Sequence, residues 1–191
     1  MIKNYISDFM LSEEECTFLR QCKLDEKIKN DGDTELYNDL FYTKIKTHSD
    51  MIVDSINKTF DNSVFLDGFN IKTYSHMNPK NKNNGMNLHR DNLDWVDDNG
   101  RWTYCSWRTY TAITLLNSNF IGGECLIEVG GKVLKEKIPM GRTHIFESGL
   151  LHGCASLIYG TRFALILWYR SDGEILNNIS DGHYLSERFR T

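Results

Sequence analysis

The chain has 191 residues, enough for one domain with a sizeable core that needs neither disulfides nor a structural metal. Its net charge of -4 gives no electrostatic reason to expect a nucleic-acid partner, because such partners usually call for a basic face. The five cysteines form no CxxC pair, so reduced, mostly buried thiols in a reducing compartment are the simplest interpretation.

The sequence predicts neither a secretion signal nor a membrane span. Residues 1–20 have no apolar signal core, because Ser12, Glu13, Glu14 and Glu15 interrupt them early. No stretch approaches the ~20 apolar residues that cross a bilayer. We therefore expect a soluble, cytoplasmic protein without a membrane partner.

Two helices are predicted in the first third of the chain. Leu11 to about Lys29 has helical periodicity and begins with a capping box, in which Ser12 is the N-cap and Glu15 stands three residues on. Asp39 to Phe60 reads as a second helix. Its apolar face carries Ile45, Ile52, Val53 and Ile56.

Short β-rich runs follow from about Val64, separated by glycine and asparagine. Gly130-Gly131 is a two-residue glycine turn, which indicates a β-hairpin. The predicted strands are Val64–Tyr74, Gly85–His89, Thr109–Leu116, Glu124–Val129, Val133–Ile138, Thr143–Phe146, Gly153–Leu157 and Arg162–Arg170. This order predicts an α+β, mainly β, fold: a double-stranded β-helix (jelly roll) with N-terminal supporting helices. We expect one domain over 1–191, with helices at about 11–60, the jelly roll at about 64–170 and a tail at 171–191.

A possible metal site combines two histidines and one carboxylate. Such a set can coordinate one face of an Fe(II) ion and leave the opposite face open, which is typical of non-haem iron oxygenases. His89 and Asp91 are two residues apart at the end of a predicted strand, so their side chains share a face. The third ligand must come from a neighbouring strand, and His152 stands at the start of one. We therefore predict that these three residues bind a metal.

The other histidines fit this site less well. His144 and His76 compete with His152 for the third position, and His144 does so only if the strand register turns it inward. His48 and His183 fall in a helix and in the tail, and we expect both at the surface.

Arg162 lies ten residues beyond His152 and opens an otherwise apolar strand. A charge in that position is costly unless it is paired. The planar guanidinium can pair a carboxylate through two hydrogen bonds. Arg162 therefore indicates a site for the far carboxylate of 2-oxoglutarate, a co-substrate whose keto oxygen and other carboxylate chelate iron. The alternative is an arginine at a strand end that reaches solvent.

Four segments resemble the prolyl-hydroxylase branch of the Fe(II)/2-oxoglutarate dioxygenases, over about residues 6–170. They are Leu88–Asn92 with its His-x-Asp-Asn order, Tyr110–Glu124 with its Leu-Asn and Gly-Gly-Glu, Gly141–Gly153 and Gly160–Tyr169. The opening of the first helix, Phe9–Cys16, is also similar. The asparagine and the His-Gly pair are closest to leprecan-type prolyl 3-hydroxylases, and Gly-Thr-Arg also occurs in lysyl hydroxylases. Collagen-type prolyl 4-hydroxylases usually carry lysine where Arg162 stands.

The resemblance implies a catalytic set in which His89, Asp91 and His152 bind Fe(II) and Arg162 binds 2-oxoglutarate. The implied reaction uses O2 to hydroxylate an unactivated C–H and releases succinate and CO2. Ascorbate is a further candidate cofactor.

The resemblance also implies a co-substrate pocket with one departure from the family. Tyr74 is similar in position to a tyrosine that lines this pocket, and Trp168 shares the inner face with Arg162, although core packing explains both equally well. Several relatives carry a tyrosine at the position of Leu115 that helps to hold the far carboxylate. This chain lacks it, so Arg162 needs another partner, for which Thr111 and Tyr74 are the candidates.

The leading interpretation is a hydroxylase of a protein or peptide, with prolyl favoured over lysyl. A free amino acid hydroxylase suits a small single domain as well. Nucleic-acid dealkylation is a further enzyme class, but Arg162 does not begin an Arg-x-Asn-x-Thr-x-Arg run and no nucleic acid is expected. A non-catalytic jelly-roll binding module is the least favoured, because the triad and the arginine are intact.

Two polar segments are candidates for contact with a substrate, residues 78–87 and 92–107. The second segment could clamp an extended peptide with aromatic rings, or it could fold into a local mini-core. Its aromatic residues are Trp95, Trp102, Tyr104 and Trp107.

Overall fold

The computed structural model describes residues 4–24, 33–77, 85–92, 95–96, 102–103 and 107–171. In chain order the elements are β1 (Asn4–Met10), α1 (Glu13–Leu24), α2 (Asp33–Phe60), β2 (Val64–Ser75), β3 (Met86–His89), β4 (Trp95–Val96), β5 (Trp102–Thr103), β6 (Arg108–Leu115), β7 (Phe120–Gly122), β8 (Cys125–Val129), β9 (Lys132–Glu136), β10 (Arg142–Glu147), β11 (His152–Cys154) and β12 (Leu157–Ser171). Neither described helix combines the length and the apolar character that a bilayer crossing requires.

Two antiparallel sheets enclose the inner core. The major sheet has the strand order β1-β10-β6-β12-β2, with β7 also paired to β12, and the minor sheet has the order β3-β11-β8-β9. Side chains from both sheets meet between them, among them Ile113 and Ile166 of the major sheet and Ile127 of the minor sheet. This arrangement confirms the predicted jelly roll, and β4 and β5 form a separate two-stranded ribbon.

Both helices pack against the outer face of the major sheet. Leu19 of α1 and Ile52 of α2 join a second core with Leu165 and Leu167 of β12. Successive residues of β12 therefore point alternately into the two cores. Burial on both faces explains why this strand reads as a continuous apolar run.

The helix boundaries differ from the predicted ones, although the capping box is confirmed. The Glu15 N–H donates to Ser12 Oγ over 3.2 Å, and the Ser12 N–H donates to Glu15 Oε2 over 3.0 Å. α1 is described over Glu13–Leu24, and residues 25–29 of the predicted helix lie outside the described residues. α2 begins at Asp33, six residues before the predicted start.

The structure has four strands that were not predicted, β4 and β5 of the ribbon among them, and it changes the bounds of β11 and β12. The structure adds β1, which pairs with β10 at the edge of the major sheet, and the short β7. β12 begins at Leu157, so Arg162 lies inside a strand and the predicted strand over residues 153–157 shortens to β11. The glycine turn is confirmed: Gly130 and Gly131 have φ of 60° and 80°, and they connect β8 to β9.

His48 is buried, which corrects the expectation that it lies at the surface. It faces the major sheet, where its Nε2 lies 2.9 Å from Thr114 Oγ1 and 3.3 Å from Thr143 Oγ1. These hydroxyls satisfy one ring nitrogen, so a histidine is tolerated in this core. His183 lies outside the described residues.

Candidate active site

The pairing of β3 with β11 brings two distant histidines together. His89 and His152 are register partners in the minor sheet, and their ring centroids lie 4.3 Å apart. Gly153 permits this close approach, because a Cβ at that position would lie 2.6 Å from the Met86 carbonyl oxygen. The glycine after the distal histidine is therefore a requirement of strand packing.

Asp91 completes the predicted triad. His89 Nε2 lies 3.4 Å from Asp91 Oδ1, and His152 Nε2 lies 3.4 Å from Asp91 Oδ2. The three ligand atoms lie within 4.8 Å of one another, and across the described part of the chain no other group of three histidine, cysteine or acidic side chains meets this criterion. His152 is buried and the other two are half-buried, so the group has one open side.

The protonation of the two imidazoles directs both Nε2 atoms at a cation. His89 Nδ1 lies 2.9 Å from the Asn87 carbonyl oxygen, and His152 Nδ1 lies 2.9 Å from the Leu150 carbonyl oxygen. A carbonyl only accepts, so each Nδ1 carries the proton. In the neutral rings both Nε2 lone pairs then face the oxygens of the Asp91 carboxylate. Because lone pairs that face one another repel, this arrangement is stable only with a cation between the three side chains. Two imidazole nitrogens and a carboxylate oxygen are ligands that suit Fe(II).

Two donors hold the carboxylate in place. Thr111 Oγ1 and Trp168 Nε1 each donate to Asp91 Oδ2 over 2.8 Å. Thr111 and Trp168 therefore orient the Asp91 carboxylate. From the sequence, we expected both residues instead in the co-substrate pocket beside Arg162. Ser148, which sequence reasoning missed, lies 2.9 Å from the Thr111 hydroxyl and accepts the Asp91 N–H through its carbonyl.

The charges of the triad stabilise one another. Burial raises the pKa of Asp91, but hydrogen bonds and charge from His152 and His89 outweigh it and hold that pKa well below its usual value. Burial lowers the pKa of His89, and the bonds to Asp91 and the Asn87 carbonyl reverse the effect and raise it. Without a metal, the raised pKa of His89 therefore favours a proton between its Nε2 and the Asp91 carboxylate, where a metal cation would otherwise bind.

Arg162 is a buried cation without an acidic partner. It is 3% exposed, its Nε makes no hydrogen bond, and no carboxylate of the described residues lies within ion-pair distance. The ring of Tyr74, its register partner on β2, lies 5.6 Å from the guanidinium carbon. A buried unpaired guanidinium is costly, so this position calls for an anionic ligand.

The triad and Arg162 line one cavity of about 160 Å³. Tyr74 and Trp168 also line it, and burial raises the pKa of Tyr74 to about 12, so its hydroxyl stays protonated. Sequence reasoning missed further polar lining residues. They are Asn70, Lys72, Arg90 and Arg108. Asn70 and Lys72 alternate with Tyr74 along β2, and this period of two was the signal that could have found them.

The competing histidines make other contacts. His144 points into the inner core, where its Nε2 lies 3.3 Å from Glu136 Oε2 without forming a hydrogen bond. His76 Nδ1 lies 3.0 Å from the Gly160 carbonyl oxygen. Neither belongs to the triad, which favours His152 as the third ligand.

The aromatic segment over residues 92–107 is described only in part. Trp107 Nε1 donates to Asp67 Oδ2 over 3.4 Å. The side chains of Trp95, Trp102 and Tyr104 lie outside the described residues, as does most of the segment over 78–87. A role of these segments in substrate contact stays a prediction.

Comparisons with known proteins give matches at the level of structure. No protein-family model and no curated protein matches the sequence. The viral collagen prolyl hydroxylase of Paramecium bursaria Chlorella virus-1, solved with 2-oxoglutarate, is 19% identical with a TM-score of 0.58 and covers 89% of this chain and 96% of its own. A prolyl hydroxylase of Trichoplax adhaerens, solved with a hypoxia-inducible-factor peptide, is 17% identical with a TM-score of 0.61 and covers 87% and 83%.

A prolyl 4-hydroxylase of Pseudomonas putida is 16% identical with a TM-score of 0.58 and covers 91% of this chain and 88% of its own. These likenesses establish that the chain has the fold of the prolyl-hydroxylase-type oxygenases. They confirm the fold that the sequence resemblance implied. At such low identity the assignment to a subfamily stays a prediction.

Proposed function

We propose that the chain is an Fe(II)- and 2-oxoglutarate-dependent dioxygenase that hydroxylates an unactivated C–H of a prolyl residue in a protein or peptide. One observation carries this proposal. Three converging acceptor atoms of His89, Asp91 and His152 share a cavity with Arg162, a buried guanidinium that has no acid among the described residues. A cation site beside an anion site is the arrangement that a metal-chelating dicarboxylate requires.

In this proposal the protein supplies ligands, orientation and exclusion of water. His89 Nε2, His152 Nε2 and Asp91 Oδ1 hold the iron, while Asp91 Oδ2 stays bound to Thr111 and Trp168. Bound Fe(II) supplies the oxidative chemistry, in which one atom of O2 enters the substrate as hydroxyl and the other enters succinate as 2-oxoglutarate loses CO2. The apolar wall of the cavity, including Ile113 and Ile166, limits access of water.

Arg162 binds the far carboxylate of 2-oxoglutarate in this scheme. A fork of two guanidinium N–H groups suits a carboxylate, and the buried site makes the pairing strong. Tyr74 lies beside the guanidinium, and its protonated hydroxyl donates over 3.4 Å to Met86 Sδ, a weak acceptor that a carboxylate oxygen can replace. Tyr74 is therefore the better candidate for the role that a tyrosine at position 115 plays in relatives, because Thr111 is committed to Asp91.

The substrate class rests on the fold shared with three prolyl hydroxylases, one of them solved with a peptide. Lysyl and free amino acid hydroxylation remain the alternatives. Ascorbate as an auxiliary reductant, and a single domain over 1–191, also stay predictions.

The test is product formation from defined peptides. Protein with Fe(II), 2-oxoglutarate and O2 is incubated with prolyl and lysyl peptide pools and free amino acids, and mass spectrometry follows the gain of one oxygen atom while succinate is quantified. We expect substrate-dependent succinate and a hydroxylated product, both lost in Asp91→Ala. Asp50→Ala, at an exposed carboxylate of α2, is the matched control and keeps both. Succinate and hydroxylation absent from the whole panel would contradict the proposal.

A further inference from the structure

The candidate active-site cavity has an excess of positive charge. Four cationic side chains line it, those of Lys72, Arg90, Arg108 and Arg162, against the single carboxylate of Asp91. A half-enclosed site that collects cations attracts anions, because the field is focused between low-dielectric walls.

The protein itself neutralises only part of this charge. Arg108 Nε donates to Asp67 Oδ2 over 3.2 Å, and both residues are buried, so this cation is paired. Arg90 Nε donates to the Gly149 carbonyl over 2.8 Å, which fixes its side chain. Arg162 is assigned to 2-oxoglutarate, and Asp91 to the iron. Among the described residues, neither Arg90 nor Lys72 has a carboxylate within ion-pair distance. Of these two cations, only Lys72 makes no hydrogen bond with the described residues, so its ammonium group is available to a ligand.

Lys72 occupies a defined position between the two halves of the site. On β2 it pairs with Ala164 of β12, one inward-facing pair away from Tyr74 and Arg162. The next inward pairs lead towards Trp168, which holds Asp91. Lys72 is half-buried, and the small Ala164 side chain opposite leaves the lysine free to extend into the cavity.

We propose, on the basis of the proposed function, that the substrate carries a carboxylate close to the carbon that is hydroxylated, and that Lys72 Nζ binds this carboxylate. Both carboxylates of 2-oxoglutarate are already assigned, one to the metal and one to Arg162, so the charge of Lys72 is available to the substrate. The carboxylate can belong to an acidic side chain beside the target residue of a peptide or to the α-carboxylate of a free amino acid.

The test compares matched acidic and neutral probes on the anaerobic Fe(II)/2-oxoglutarate complex of the full chain. One arm uses prolyl peptides whose flanking residue is glutamate or glutamine, and the other uses free proline or prolinamide. Calorimetry gives the Kd of each probe for the wild type, Lys72→Met and Lys72→Arg. Lys132→Met, at an exposed lysine of β9, is the matched control.

We expect Lys72→Met to weaken binding of the acidic member of one pair about tenfold, as for the loss of one charged hydrogen bond, and to leave the neutral member unchanged. Lys72→Arg retains most of the preference and Lys132→Met all of it. The arm that shows the preference identifies the source of the carboxylate. Raising the salt concentration weakens the acidic probe selectively.

Three results would overturn the inference. The wild type could bind acidic and neutral probes equally, Lys72→Met could weaken both members of a pair alike, or it could weaken 2-oxoglutarate in place of the probe. Failure of the proposed function is separate, because it shows as a wild-type protein that forms no Fe(II)/2-oxoglutarate complex before any probe is added. Thermal melting of each variant confirms that it is folded.

Discussion

Single hydrogen bonds decide the chemistry that His89, Asp91 and His152 can perform. Each imidazole donates a hydrogen bond from its Nδ1–H to the backbone carbonyl two residues earlier, so the Nε2 lone pair of each ring is available to a metal. Thr111 and Trp168 occupy one oxygen of Asp91 and leave the other available. Partners of this kind orient metal ligands and commonly contribute ten- to hundred-fold to affinity.

Removal of either donor to Asp91 should therefore weaken iron binding. We expect Trp168→Phe and Thr111→Val each to raise the Kd for Fe(II) by about tenfold or more, because the carboxylate loses one of two bonds that fix it. Thr111→Ser keeps a hydroxyl and should remain close to the wild type. Anaerobic Fe(II) titration measures the effect, and unchanged affinity in both truncated variants would show that the two donors do not support the metal site.

Loss of the Arg162 guanidinium should weaken the binding of 2-oxoglutarate and leave the binding of Fe(II) unchanged. Arg162→Met is expected to raise the Kd for 2-oxoglutarate about hundredfold, because a buried carboxylate would lose its charged partner. Arg162→Lys retains the charge but not the fork, so an intermediate effect is expected. Anaerobic titrations of Fe(II) and 2-oxoglutarate separate the two ligands. An Arg162→Met variant with normal 2-oxoglutarate affinity would rule out this anchor.

At the scale of elements, the site depends on contact between two short strands. β3 and β11 have four and three residues, and their pairing alone sets His89 opposite His152. Gly153 lies at the centre of β11, where the backbone of β3 passes too close for a side chain. The close packing of β3 against Gly153 therefore sets the distance between the two histidines of the triad.

A methyl group at Gly153 should separate these strands. Its Cβ would lie 2.6 Å from a backbone oxygen of Met86, so β3 must move. We expect Gly153→Ala to lower the free energy of unfolding by about 1–3 kcal/mol and to weaken Fe(II) binding. Gly68→Ala is the control, since its Cβ would meet Trp168 Cε3 at an ordinary 3.9 Å. Urea unfolding measures the stability of each variant, and Fe(II) titration measures its metal affinity. Equal stability and equal Fe(II) affinity of the two variants would contradict the steric argument.

The parts of the fold that repeat a local pattern were predictable from the sequence. Short β-rich runs separated by glycine and asparagine marked β2, β6, β8 and β12, and the His-x-Asp spacing marked the metal site. β1 was missed because its pairing with β10 joins segments more than 130 residues apart, which leaves no local signal.

Strand register was the main information that the sequence lacked at the site. Lysine in a strand is usually exposed, so Lys72 was passed over although its spacing of two residues from Tyr74 placed it on the same face, and only the pairing of β2 with β12 shows that this face turns inward. For the same reason, the bonds from Thr111 and Trp168 to Asp91 were not foreseen, although both residues were selected as candidates. Arg162 was expected at a strand end because the extension of β12 back to Leu157 includes exposed residues and Gly160.

At the scale of the whole molecule, two histidines of the described residues that are not in the triad are buried, one on each face of the major sheet. His48 lies in the outer core and His144 in the inner core. Burial lowers the pKa of each to about 4, and the carboxylates nearby do not reverse this effect. The folded protein therefore resists protonation at two positions where the unfolded chain, with a histidine pKa near ~6.5, accepts it.

This difference predicts loss of stability in mild acid. Between about pH 6.5 and pH 4 the unfolded state binds more protons, so the free energy of unfolding falls as the pH falls. His48→Gln removes one titrating ring and should reduce the slope by about 1.4 kcal/mol per pH unit in that window. Urea unfolding between pH 4 and pH 8 measures the free energy of unfolding of both proteins. Above pH 7 their free energies should differ by a constant amount, and this difference is the reference for the change at lower pH. Parallel curves down to pH 4 would contradict the role of His48.

The coordination of Fe(II) and 2-oxoglutarate in one cavity is tested most directly by anaerobic titration of the purified protein with both. This chelate gives a weak visible charge-transfer band. We predict the band for the wild type, its loss in Asp91→Ala, and its appearance only at much higher 2-oxoglutarate in Arg162→Met. A folded wild-type protein that gives no band at saturating concentrations of both would contradict the assignment.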